Sequence, residues 1–121
     1  MTTKNYDTAN RPYRGSVAVN DLVFLSGRLG MRDGALPEGV PEQTLQAVRN
    51  VENELANHGL TLNDIIKVTV YLDSMADYET MNHAYLELMP APLPARTCIA
   101  VEALPYGGLV ELDVIASRQG E

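Results

Sequence analysis

The chain has 121 residues, 45% hydrophobic and 21% charged, which suits one domain with a real core, and 1–121 is read as a single unit. Sixteen acidic residues against nine basic ones leave a net charge of −7, which disfavours nucleic acid as a partner because phosphate backbones require clustered Lys and Arg. No apolar run approaches the roughly 20 residues that a bilayer demands, so no membrane association is expected.

In chain order, Met1 to Asp7 lacks the apolar centre of a signal peptide, and a cytoplasmic location is expected. Ser16-Val17-Ala18-Val19 and Leu22-Val23-Phe24-Leu25-Ser26 are short β-type runs, joined by Asn20-Asp21 as a two-residue hairpin turn. Gly27 to Gly39, rich in Gly and carrying Pro37, reads as a loop. A helix is predicted from Pro41 or Glu42 to His58, with Leu45, Val48, Val51 and Leu55 as its apolar stripe and Gly59 as a left-handed stop.

Ile65 to Asp73 alternates as a strand, with Ile66, Val68, Val70 and Leu72 on the covered face. Asp77 or Ser74 caps a second helix to about Met89, with Tyr78, Met81, Tyr85 and Leu88 facing inward. Pro90, Pro92 and Pro94 end it and hold the next segment extended. Strands at about 95–103 and 109–118 complete the chain. The order β-β-α-β-α-β-β predicts an α+β two-layer sandwich, a mixed sheet with two helices on one face. The other sheet face must be polar or covered, and association with further copies is the simplest cover for an apolar one.

The chemistry concentrates in Pro94-Ala95-Arg96-Thr97-Cys98, followed by Leu104-Pro105 and Val110-Glu111-Leu112. These residues set a guanidinium, a thiol and a carboxylate on two strands expected to be neighbours. A guanidinium fork matches the two oxygens of an organic acid, and a carboxylate beside it can orient or deprotonate water. Alternation puts Arg96 with Cys98, Ala100 and Glu102, and Glu111 with Asp113 and Ile115. Both Arg96 and Glu111 are thereby expected on faces not committed to the main apolar layer.

The plainer reading of the same pattern is a cross-strand ion pair, worth roughly 0–1 kcal/mol at a surface. Cys98 is the only cysteine, and with His58 and His83 it fits no zinc spacing, so no metal is expected. Taken singly, Asn82 at a helix edge, Ser26 at a strand end and Tyr13 in a loop are more often structural than functional.

Jointly, these residues carry a resemblance that spans nearly the whole chain. Pro12-Tyr13, Leu25-Ser26-Gly27, Gln43-Thr44 with Asn50, Val68-Thr69-Val70-Tyr71-Leu72, Met81-Asn82 and the Pro94 to Glu111 stretch follow one another in order. In this the chain resembles the Rid family of reactive-intermediate deaminases, the YjgF-like enamine/imine hydrolases. The resemblance implies a chorismate mutase-like fold, a homotrimer, and clefts at the subunit boundaries.

It also implies roles: Arg96 as the carboxylate grip, Glu111 as the residue that positions water, and Cys98, Tyr13, Ser26 and Asn82 as substrate-binding neighbours. The implied reaction converts 2-aminoacrylate and related 2-imino acids to 2-keto acids and ammonia, with no cofactor. Two departures stand out: Arg11 occupies a position where the family often has Gly, and Arg28 one where it often has Gln. With the short proline-rich segment before Arg96, they bear on substrate preference. A non-catalytic module binding 2-keto acids is the alternative, and the ribonuclease activity attached to the family by name conflicts with the net negative charge.

Overall fold

The computed structural model describes residues 11–119; Met1 to Asp7, on which the signal-peptide reading rests, lie outside them. Strands β1 (Ser16–Val19) and β2 (Leu22–Leu25) form the expected hairpin. Its turn bends at Asn20, which adopts φ 54°, a left-handed conformation that asparagine tolerates well. The presumed loop from Gly27 contains a further strand, β3 (Arg28–Leu29). Two residues cannot display a period, so the sequence carried no strand signal there.

Helix α1 (Val40–Ala56) ends in the predicted manner: Gly59 adopts φ 74°, and the Leu60 amide donates to the Leu55 carbonyl, a Schellman closure. Its buried side is wider than the predicted stripe. Gln43, Thr44 and Ala47 are buried with Val48, Val51 and Leu55, whereas Leu45 is only half-buried. The polar members are satisfied: Thr44 Oγ1 donates to the Val40 carbonyl at 2.7 Å, and Gln43 bridges the Pro37 carbonyl and the Leu109 amide. Burial without such partners would cost about 1–3 kcal/mol per group.

Strand β4 (Ile65–Leu72) carries an irregularity between Ile65 and Lys67. Ile65 is therefore the buried residue and Ile66 only partly covered, reversing the expectation at that end of the strand. A Ser74-capped turn leads into α2 (Tyr78–Leu88), which buries Met81, Ala84 and Tyr85. Strands β5 (Ala95–Ala100) and β6 (Val110–Ser117) follow.

The sheet runs β1-β2-β6-β4-β5, with β3 also paired to β6. Two sequence expectations fail here. β5 and β6 are not neighbours, because β4 lies between them, parallel to β5 and antiparallel to β6. Arg96 is also not on the free face. It is registered with Val68 and Cys98 with Val70, both buried beneath the helices. Glu111 is registered with Tyr71 on the opposite face.

The outer face is mixed: Phe24, Ile99 and Val19 are 40%, 45% and 50% exposed, beside Lys67 and Thr69 of β4, Thr97 of β5 and Asp113 of β6. Among the described residues no helix is long and apolar enough to cross a membrane.

Candidate functional site

Arg96 projects from β5 toward α2 and is framed by aromatic rings. Its guanidinium carbon lies 5.0 Å from the Tyr85 ring centre and 5.7 Å from that of Tyr78. Nη2 donates weakly to the Tyr78 hydroxyl at 3.4 Å, and Nη1 approaches Met81 Sδ at 3.9 Å. Faces of aromatic rings attract cations without consuming the charge as a carboxylate would. No carboxylate among the described residues pairs with it. Arg96 instead lines a cavity of about 440 Å³ together with Glu79, Asn82, Tyr85, Leu86, Leu93 and Pro94, without an ion pair to Glu79.

Cys98, two residues along the same face, packs against the core and lines neither this cavity nor the next. Burial pushes its thiol pKa up, with Arg96 opposing only in part. A thiol so placed is not an activated nucleophile.

Glu111 projects from β6 into a second cavity of about 660 Å³, whose lining includes Tyr13, Gly27, Arg28, Leu29, Asn50, Glu54 and Tyr106. Burial, reinforced by the negative charge of Asp113, raises its carboxyl pKa above the usual 4.5. The sheet is interrupted beside it. β2 and β3 both pair with β6, at Ile115–Ser117 and Glu111–Leu112 respectively, and Ser26-Gly27 falls in the gap. Gly27 leaves room for the carboxylate, since a methyl group there would collide with Glu111. The edges are tied down by Asn50, whose amide donates to the Leu29 and Met31 carbonyls, both at 2.9 Å.

The six predicted site residues are thus divided. Arg96 and Asn82 share one cavity, and Tyr13 and Glu111 share the other. Ser26 lines neither: its hydroxyl donates to the Arg14 carbonyl at 2.6 Å. An Arg96–Glu111 ion pair does not form, and their placement on opposite sheet faces with β4 between their strands explains why. Sequence reasoning missed Gly27 as a site element and Tyr78 and Tyr85 as the rings framing Arg96. The i, i+3, i+7 spacing of Tyr78, Met81 and Tyr85 was visible but reads simply as core. Among the described residues no cluster of His, Cys, Asp and Glu is suited to holding a metal.

Two helices on one face of a mixed sheet in this strand order make a YjgF-type fold, shared with the YjgF gene product of E. coli at a TM-score of 0.85 and 29% identity. The family model described as Endoribonuclease L-PSP matches residues 3–118, and the chain belongs to this Rid, or YjgF-like, family.

Reactive Intermediate Deaminase A, chloroplastic, of Arabidopsis thaliana is 35% identical over 97% of this chain, which spans 64% of that protein. The 2-iminobutanoate/2-iminopropanoate deaminase of Bos taurus is 34% identical over 96% of this chain and 87% of its own length. Among solved structures, RidA from an Antarctic Psychrobacter superposes with a TM-score of 0.86 at 33% identity, covering 88% of this chain and 89% of that one. Protein mmf1 of Schizosaccharomyces pombe, 36% identical over 87% of this chain and 67% of its own length, is named as mitochondrial, so family membership does not carry a cytoplasmic location with it.

Proposed function

We propose that the protein hydrolyses reactive 2-imino acids, such as the tautomer of 2-aminoacrylate, to 2-keto acids and ammonia, acting as a homotrimer with composite sites. The observation that carries this reading is the division just described: a guanidinium with no carboxylate partner on one side, and a carboxylate with raised pKa on the other, each lining its own cavity. Within one protomer the two cannot meet on a small substrate. Joined across a subunit boundary, they supply both ends of one reaction. The exposed apolar residues Phe24, Ile99 and Val19 offer the surface for such an assembly.

In the proposed reaction Arg96 grips the substrate carboxylate by its fork, with Asn82 beside it. Glu111 of the facing protomer accepts a proton from water as the water oxygen bonds to the imine carbon and the C=N π electrons move to nitrogen. The same carboxyl then returns the proton to nitrogen. The carbinolamine hydroxyl then gives its proton to the carboxylate, which passes it to the NH2 group; the C–N bond breaks, ammonia leaves, and the O–H electrons form the keto C=O. A carboxyl raised toward neutral pH is better suited to both halves of this exchange than an ordinary one. Tyr13 lines the same cavity, and Ser26 holds the loop that carries it. Cys98 contributes packing near Arg96, and water rather than sulfur attacks.

Glu111's raised pKa favours this over a module that only binds 2-keto acids, which has no use for a proton-transfer group. Ammonia release from freshly generated 2-aminoacrylate or 2-iminobutanoate tests the reading. Acceleration over the uncatalysed rate supports it, and keto-acid binding without acceleration would leave the binding module instead.

A further inference from the structure

We propose that Tyr106 is a specificity-determining residue of the Tyr13–Glu111 cavity, and that the preferred substrates are 2-imino acids with an aromatic side chain. This rests on the deaminase reading above and names its substrate class.

Tyr106 stands in the turn Pro105–Gly107, between β5 and β6, with φ 61° and ψ 21°, a left-handed conformation. Glycine adopts it freely, as Gly107 does beside it at φ 70°, whereas a residue with a side chain is strained there. Packing within the protomer does not explain the tyrosine, which is 63% exposed. The turn itself is fixed. The Gly108 amide donates to the Pro105 carbonyl at 3.0 Å, and a Cβ placed on Gly108 would stand 2.8 Å from Leu29 Cδ2. Leu29 is registered with Glu111, so the two side chains share a sheet face. The turn is thereby pinned at the Glu111 end of the cavity, and Tyr106 joins its lining.

Tyr13, Leu29, Met31 and Pro105 add apolar surface to the same lining, and Tyr13 is itself 54% exposed. An acidic side chain finds no partner here. Arg28 is held by Glu54 at 3.2 Å and by the Gly15 carbonyl at 2.7 Å, the lining has no second cation among the described residues, and Glu111 adds a like charge. At about 660 Å³ the cavity has far more room than a four-carbon imino acid fills. A substrate whose C2 meets Glu111 can thus lay an aromatic side chain against Tyr106 and Tyr13, where ring–ring contact adds to the gain from buried area.

The test compares 2-imino-3-phenylpropanoate, 2-iminobutanoate and 2-iminoglutarate, each generated in situ by an amino-acid oxidase, and phenylpyruvate with 2-oxobutanoate by calorimetry. Expected is an aromatic-to-aliphatic ratio of kcat/KM above about fivefold, with 2-iminoglutarate the poorest of the three. Tyr106→Gly and Tyr106→Asn, both at ease in a left-handed turn and so expected to fold, each lower that ratio at least about threefold. Tyr106→Phe, which keeps the ring, holds it. A wild-type ratio below about fivefold, a preference for 2-iminoglutarate over 2-iminobutanoate, or a ratio that the glycine and asparagine variants move less than about threefold overturns the assignment. If no imine is hydrolysed, the deaminase reading fails, while the affinity ratio of the two keto acids still decides the role of Tyr106 by the same criteria.

Discussion

Gly27 and the Glu111 carboxylate occupy adjoining space so closely that no side chain fits between them. The glycine is needed for room rather than for an unusual backbone angle, since its φ lies outside the left-handed range. Gly27→Ala should therefore fold, because the collision is with the tip of a flexible side chain, which can swing aside. Displacing a reacting group by about 1 Å can cost on the order of 100-fold, and a loss of that size in kcat/KM for imine hydrolysis is expected. Steady-state kinetics beside a melting curve checks both halves; a fully active alanine variant would separate Glu111 from the chemistry.

Glu111 makes a prediction about pH in which stability and activity move in opposite directions. Its folded pKa is raised, so ionisation penalises the native state as pH climbs past 4.5, and the penalty is complete above the folded value. Glu111→Gln should abolish most activity yet raise Tm at pH 7, with the gain shrinking toward pH 4. Asp113 contributes to the raised value, so Asp113→Asn should shift the acid limb of the kcat/KM profile to lower pH. Melting curves and pH–rate profiles of the two variants provide the measurement.

Arg96 and Cys98 share a sheet face but not a role. Arg96→Ala should remove nearly all activity, and Arg96→Lys most of it, because an ammonium cannot reproduce the fork. Cys98→Ser should retain much of the wild-type rate, the thiol being pushed up in pKa and outside both cavities. A serine variant that folds but is dead would overturn the non-nucleophilic role of Cys98.

Mixing two inactive variants tests the composite site. If Arg96 of one protomer works with Glu111 of another, trimers reassembled from equal amounts of Arg96→Ala and Glu111→Gln contain some intact sites. Random assembly gives each site a one-in-two chance of each working residue, hence about a quarter of wild-type activity. Activity no higher than that of the separate variants places both residues in one protomer's site or in none.

Much of the fold was legible because local chemistry and tertiary packing agree. Asn20-Asp21, Gly59 and the alternation of β4 each serve both levels. The parity of β5 was also legible, in that Arg96 goes with Cys98, but alternation does not say which parity faces the helices. Contact with Tyr78 and Tyr85 settles it, and that contact is tertiary.

The misplacement of β5 beside β6 had a remedy in the sequence. A strand, a helix and a strand in succession, as in β4, α2 and β5, commonly form a parallel crossover unit, and that unit leaves β6 to pair on the far side of β4. The grouping of Tyr106 with Tyr13 in one cavity wall had no such signal, since nothing local links them.

In the composite site proposed above, the insertion of β4 between the strands of Arg96 and Glu111 makes turnover a property of the assembly. An isolated protomer would then hold two idle halves, so specific activity should fall on dilution below the dissociation constant of that assembly and recover on concentration. Anything that loosens the outer sheet face, however far from either cavity, would then act as an inhibitor by mass action.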